Sequence, residues 1–172
     1  MPVFTPISHD TVVAAVLRLR DAIAASGWRP DMIVGIGRGG LVPAVYLSHA
    51  MTVPMRSLDL SAREGDAVSD AGFAAVAARR RAGERLLVLD DINDSGRTIA
   101  HIRQALAAAD GAADNVRFAT LIDNTGSTER VDHAARTIDR AVTKDWFVFP
   151  WEAVAPTAAI AADAAEVPDR IA

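Results

Sequence analysis

The stretch RLLVLDDINDSGRTIAHIRQAL, residues 85–106, constrains the fold more than any other. Leu86 to Leu89 form a continuous apolar run of the kind found in a strand covered on both faces of a parallel sheet. Two acids end that run, a short loop rich in hydroxyl and glycine residues follows, and TIAHIRQALAAAD then reads as a helix. A strand feeding a loop and a helix is half of a βαβ unit. The rest of the chain therefore has to supply parallel neighbours, and the site should lie at the carboxyl ends of the strands.

Those neighbours are visible. SHDTVVAAVLRLRDAIAASG predicts a helix capped by Ser8, with an apolar face of Val12, Val13, Val16, Leu17, Leu19, Ile23 and Ala24 and a stop at Gly27. Met32 to Ile36 reads as a buried strand ending in a glycine-rich loop, and LVPAVYLSHAM as the helix beyond it, with Pro43 in the first turn. VPMRSLDL, NVRFATLID and WFVFP read as further strands. Residues 61–85 lack a strand pattern and suit an excursion containing a short helix. The expectation is an α/β fold, a doubly wound and mainly parallel sheet flanked by helices, within residues 1–155. Residues 156–172 form an Ala-rich tail, read as a peripheral helix or poorly ordered end.

Composition narrows the classes. A chain of 172 residues, 51% of them apolar, can bury one substantial core. The net charge of −4 argues against broad attraction to nucleic acid or an anionic membrane. There is no cysteine, so neither disulfides nor thiolate metal ligands contribute. No leader-like segment or long apolar run occurs, which leads to the expectation of a cytoplasmic protein. The histidines, His9, His49, His101 and His133, show no paired metal-ligand spacing.

The acids and the loop behind them suit a phosphorylated sugar. A ribose diol presents two hydroxyl donors, which Asp90 and Asp91 can accept directly or through a magnesium shell. The loop NDSGRT offers successive backbone amides, the hydroxyls of Ser95 and Thr98, and a helix start, which together match a phosphate monoester. Gly96 lets the backbone close around it. The plainer alternative, two loop acids beside a capping residue, explains the pair but not the ordered succession behind it. A Walker loop is excluded, because neither GKS nor GKT occurs.

LLVLDDINDSGRT resembles the phosphoribosyl-pyrophosphate signature of the type I phosphoribosyltransferases. VGIGRGGLVPA is similar to the pyrophosphate loop of that family, and WFVFPWE to the base-binding segment of its xanthine-guanine type. Order and spacing agree over roughly Phe4 to Glu152. The resemblance implies the type I fold with a small hood built from terminal segments. It also implies transfer of a 5-phosphoribosyl group from phosphoribosyl pyrophosphate to a purine such as hypoxanthine, guanine or xanthine in nucleobase salvage, with Mg2+ required. A homodimer or homotetramer is expected, with no nucleic-acid partner.

Carried onto this chain, the resemblance implies Asp90 and Asp91 for ribose and magnesium. Asp94, Ser95, Gly96, Arg97 and Thr98 fall to the 5-phosphate, and Gly37, Arg38, Gly39 and Gly40 to the diphosphate. Asp94 is further implied as general base, its competing role being the cap of the following helix. Trp146 would stack on the base and Phe147 would offer its backbone to the ring edge, whereas Trp151 reads as structural.

The sequence departs from the family in one place. A lysine usual after the fourth strand is replaced in the segment TLIDNTGS, leaving Asp123 and Asn124 as base-binding candidates and Lys144 as a donor from another direction. The acceptor base is open at that point. Residues 61–81 fall where the family has a loop that closes over the site. The basic run ARRRAGER reads first as a solvated helix end and second as a diphosphate contact. Two rivals stand beside the enzyme. A non-catalytic regulator binding the same donor would be expected to add a nucleic-acid-binding segment or basic face, and a response-regulator receiver would lack the phosphate cradle.

Overall fold

The computed structural model describes residues 3–59, 70–110 and 114–165. In chain order these form β1 (Phe4–Pro6), α1 (His9–Ala25), β2 (Met32–Ile36), α2 (Gly37–Met51), β3 (Met55–Leu58) and α3 (Asp70–Arg81). There follow β4 (Leu86–Asn93), α4 (Arg97–Asp110), β5 (Val116–Asn124), β6 (His133–Ile138), β7 (Trp146–Val148), a single 3₁₀ turn at Pro150–Glu152 and α5 (Thr157–Ala165). Strands β3-β2-β4-β5-β6 make one parallel sheet. Strands β1 and β7 make a separate parallel pair, with Phe4 opposite Trp146. This small unit joins the two ends of the fold and corresponds to the expected hood.

The sheet is covered on both faces, which is why its central strands are apolar without alternation. One core joins Val12, Val16, Leu19 and Ile23 of α1 and Leu47 of α2 to Ile33, Leu87, Leu89 and Leu121. The other joins Val76 of α3 and Ile99, Ile102 and Leu106 of α4 to Val34, Leu86, Val88 and Phe118. The chain leaves β2 toward β3 on one side and returns to β4 on the other. The carboxyl ends of β2 and β4 therefore flank the point where the winding direction reverses, the usual place for a crevice.

Local expectations hold with adjustments. Ser8 Oγ accepts the Thr11 amide at 3.1 Å and caps α1. The buried face of α1 is narrower than predicted, since Leu17 is 38% exposed. No free glycine loop separates β2 from its helix: α2 begins at Gly37, so Pro43 lies within the helix and not in its first turn. Strand β4 runs on through Asp90 and Asp91 to Asn93, so the acids lie in its last turn of pleat and not beyond its end. WFVFP enters the hood and not the main sheet. The short β1 and the edge strand β6 lacked a readable pattern; β6 buries only His133 fully.

The excursion does contain a helix, α3, which takes up residues 70–81 of the predicted closing loop, while residues 60–69 lie outside the described residues. At its end Arg79 pairs with Glu84 at 2.9 Å, and buried Arg80 donates to the Leu106 carbonyl, so these arginines hold α3 in place. The predicted tail begins with α5, and residues 166–172 lie outside the description. Among the described residues no helix is long and apolar enough to cross a membrane.

Candidate functional site

Three backbone segments converge at the carboxyl ends of β2 and β4. The first is the start of α2, pressed against the acids. A Cβ on Gly40 would come within 2.1 Å of the Leu89 carbonyl oxygen, and one on Gly39 within 2.6 Å of Asp91 Oδ2. Only residues without side chains let the helix approach this closely, so the sequence GRGG sets the distance between the helix start and the carboxylates. Arg38 lies exposed on the same turn.

The second segment is the acid pair. The Asp91 amide donates to Asp90 Oδ1 at 2.9 Å. Both side chains keep some accessible surface but are densely surrounded by protein. Burial raises Asp90 from the ordinary carboxylate value to about 7. Burial first, then the charges of Asp90 and Glu152, push Asp91 well up. Glu152 arrives from the hood, where its Oε2 accepts the Phe149 amide at 2.9 Å, and its own carboxyl is raised by burial, with Arg38 acting in the opposite sense. Desolvated, mutually repelling oxygens of this kind suit a hard cation. Among the described residues no set of three or more His, Asp or Glu side chains is arranged to hold a metal ion. Magnesium fits under that condition, because it is commonly held by one or two carboxylates with water and substrate oxygens completing its shell.

The third segment is the loop Asp94–Gly96 leading into α4. Gly96 has φ of +91°, and a Cβ there would meet Thr128 Oγ1 at 2.6 Å. The loop is therefore backed by the Ser127–Glu129 turn: Ser95 O accepts from Thr128 Oγ1 at 2.7 Å, and Arg97 N donates to Ser95 Oγ at 3.3 Å. Arg97 and Thr98 are exposed in the first turn of α4. Asn93 braces the loop from beneath. Its amide donates to Asp123 Oδ1 at 2.7 Å and to Glu129 O at 2.9 Å, and its Oδ1 accepts from Ser127 Oγ at 3.0 Å.

The structure brings together Asp90, Asp91, Asp94–Thr98 and Gly37–Gly40, as the sequence predicts, but gives Asp123 and Asn124 other employment. Asp123, 8% exposed, is bonded to Asn93. Asn124, 6% exposed, donates to Asp94 O at 2.9 Å and accepts from the amides of Gly126 and Arg140. The end of β4 takes up Asp123 and the neighbouring loops take up Asn124, which sequence spacing could not indicate. Asp94 itself is paired with Arg140, Nη2 to Oδ2 3.0 Å. That arginine was not singled out from sequence, because nothing local marks it.

Within the hood, Phe147 is buried, with the Arg136 and Arg140 guanidinium carbons 4.7 and 5.1 Å from its ring centroid. Strand alternation turns Trp146 to the opposite side of β7. Trp151 stacks on Phe149 at 4.8 Å and packs against the core, the structural role expected for it.

The family model for the phosphoribosyl transferase domain matches residues 8–155. The chain belongs to that family. It is 30% identical over 132 residues to the xanthine-guanine phosphoribosyltransferase of Cereibacter sphaeroides, covering 73% of this chain and 70% of that relative. This phosphoribosyl transferase fold is shared by a purine phosphoribosyltransferase from Pyrococcus horikoshii, with TM-score 0.64, 24% identity and coverage of 86% and 93% of the two chains. It is shared also by a hypothetical protein from Neisseria gonorrhoeae with bound ppGpp, with TM-score 0.71, 21% identity and coverage of 96% and 98%.

Proposed function

We propose that this phosphoribosyl transferase moves the 5-phosphoribosyl group of phosphoribosyl pyrophosphate onto a ring nitrogen of a purine, releasing diphosphate in nucleobase salvage. The observation that carries the reading is the juxtaposition, at one reversal point of the sheet, of a desolvated acid pair, a braced phosphate loop and a glycine-tight helix start. The xanthine-guanine relative supports a purine as acceptor.

The bond from the anomeric carbon to the diphosphate oxygen breaks, and a bond from that carbon to a ring nitrogen forms. Charge grows on the departing oxygens and on the sugar, so the protein contributes mainly position and electrostatics. Asp90 and Asp91 accept from the ribose hydroxyls and would hold magnesium, which when bound neutralises developing negative charge on the diphosphate. Amides of the Ser95–Thr98 segment, with the Ser95 and Thr98 hydroxyls, take the 5-phosphate, and Gly37–Gly40 with the Arg38 side chain take the diphosphate. Trp146 offers a stacking face for the base. Asp94 accepts the proton that leaves the ring nitrogen, a contribution on the order of 10²- to 10⁴-fold. With Asn124 committed to the loops, Lys144 is the donor we assign to an exocyclic oxygen. The reading includes a cytoplasmic enzyme assembled as a homodimer or homotetramer.

The test is diphosphate release from the donor with magnesium, against hypoxanthine, guanine, xanthine, adenine, uracil and orotate. Turnover with one or more purines is the expected result. Turnover only with uracil or orotate would replace the purine assignment. The ppGpp-bound neighbour favours a second reading, a regulator that binds a phosphate-rich nucleotide without turning it over. Tight ppGpp binding with no turnover on any base would select it.

A further inference from the structure

We infer that Arg140 is the positioning residue for Asp94, fixing its carboxylate against the base side of the site and latching the phosphate loop to the loop that enters the hood. The inference rests on the transferase reading for its kinetic consequence, but its geometry stands alone. Nε donates to Asp94 Oδ1 and Oδ2 at 3.2 and 3.3 Å, and Nη2 donates to Oδ2 at 3.0 Å. Nη1 donates to the Thr143 and Asp145 carbonyls at 3.1 and 2.7 Å. Four of the five guanidinium N–H bonds are thus directed within the protein, so the group is held in one orientation.

Asn124 closes the same latch from below, donating to Asp94 O while accepting the Arg140 amide. The Phe147 ring covers the guanidinium, and the two side chains of the pair are only 12% and 15% exposed. A charged pair this sheltered is a poor way to gain stability alone, since apolar residues of similar size close a buried gap as well without the cost of desolvation. Its value lies in what it aims. The arginine fork meets both carboxylate oxygens from one side and so sets the direction in which the Asp94 carboxylate faces. A lysine carries the charge but not the fork.

Two substitutions separate orientation from charge. Arg140→Met is expected to lower kcat on the order of 10²-fold, as loss of near-ångström positioning does, while KM for the phosphoribosyl donor stays within about three-fold. Arg140→Lys is expected to remain closer to the Met variant than to the parent. Unchanged kcat in Arg140→Met, or full activity in Arg140→Lys, would overturn the inference; should the Met variant fail to fold, the Lys variant decides. A readout without turnover is the ¹⁵N-labelled arginine spectrum of the whole protein. A protected Arg140 Nε–H signal that shifts in Asp94→Asn is expected, and its absence in the parent would refute the pair even if no base proves to be a substrate. Failure of the parent to release diphosphate while that signal is present would instead remove the transferase reading.

Discussion

Asp91 and Asp94 lie three residues apart on one strand and its loop, yet the fold treats their charges in opposite ways. Asp91 is crowded by Asp90 and Glu152 beneath a helix start, with burial raising its carboxyl. Asp94 is met by a guanidinium that also holds two carbonyls of another loop. The first centre resists ionisation until something binds to it, whereas the carboxylate of the second is paired beforehand within the protein. Under the proposed function, a donor carrying diphosphate and magnesium calls for the first arrangement, and a single proton-accepting oxygen calls for the second.

Substitution at Asp94 should have the largest effect. Asp94→Asn should fold and bind the donor but lose on the order of 10²- to 10⁴-fold in turnover, read by single-turnover kinetics; near-normal turnover would remove its assignment as base. Asp91→Asn should lose on the order of 10²-fold in activity while raising the melting temperature of the metal-free protein, because a carboxyl whose ionisation is opposed by burial and by its acidic neighbours disappears. A lowered melting temperature would show that the acid pair is not under repulsion.

Stability experiments sharpen the contrast. Gly40→Ala forces a Cβ onto the Leu89 carbonyl and should cost about 1–3 kcal/mol by urea unfolding. Asp90 is raised from 3.8 unfolded to about 7 folded, so the stability linked to it is fully present below the unfolded value and lost as pH rises through about 7. Metal-free protein should therefore melt at lower temperature at about pH 8 than at about pH 6, and added Mg2+ should reduce the difference. A slope insensitive to Mg2+ would count against the acids as its site. The exposed pair Asp31–Arg85 is the reference for a compensated carboxylate without burial. The Arg85 side chain and backbone hold Asp31 down to about 2, so its contribution is present above 3.8 and lost as pH falls through about 2. Asp31→Asn should cost less than about 1 kcal/mol at neutral pH, since 2.9 Å ion pairs in solvent are screened.

The donor half of the site was legible because it is local. Leu86 to Thr98 places strand, acids, loop and helix start in one run, and each step has a short-range cause. The base half was legible only as fragments. Trp146 and Phe147 were marked by their residue types, but that Phe147 would meet two arginines depended on which residues β6 and the following loop bring to it. Asn124 looked available for a base, and became a brace because Asp94 and Arg140 arrive on either side of it.

The parallel α/β core, the acid pair and the glycine turn before α4 were written in the chain itself, since apolar runs, caps and glycine act within a few residues of where they stand. The tertiary structure alone decided that β1 pairs with β7, that Glu152 reaches the field of Asp91, and that Arg140 meets Asp94 across 46 positions of chain. Such meetings follow from where the sheet order and the hood deliver separate loops. Charge pairing over that distance leaves no periodicity to read.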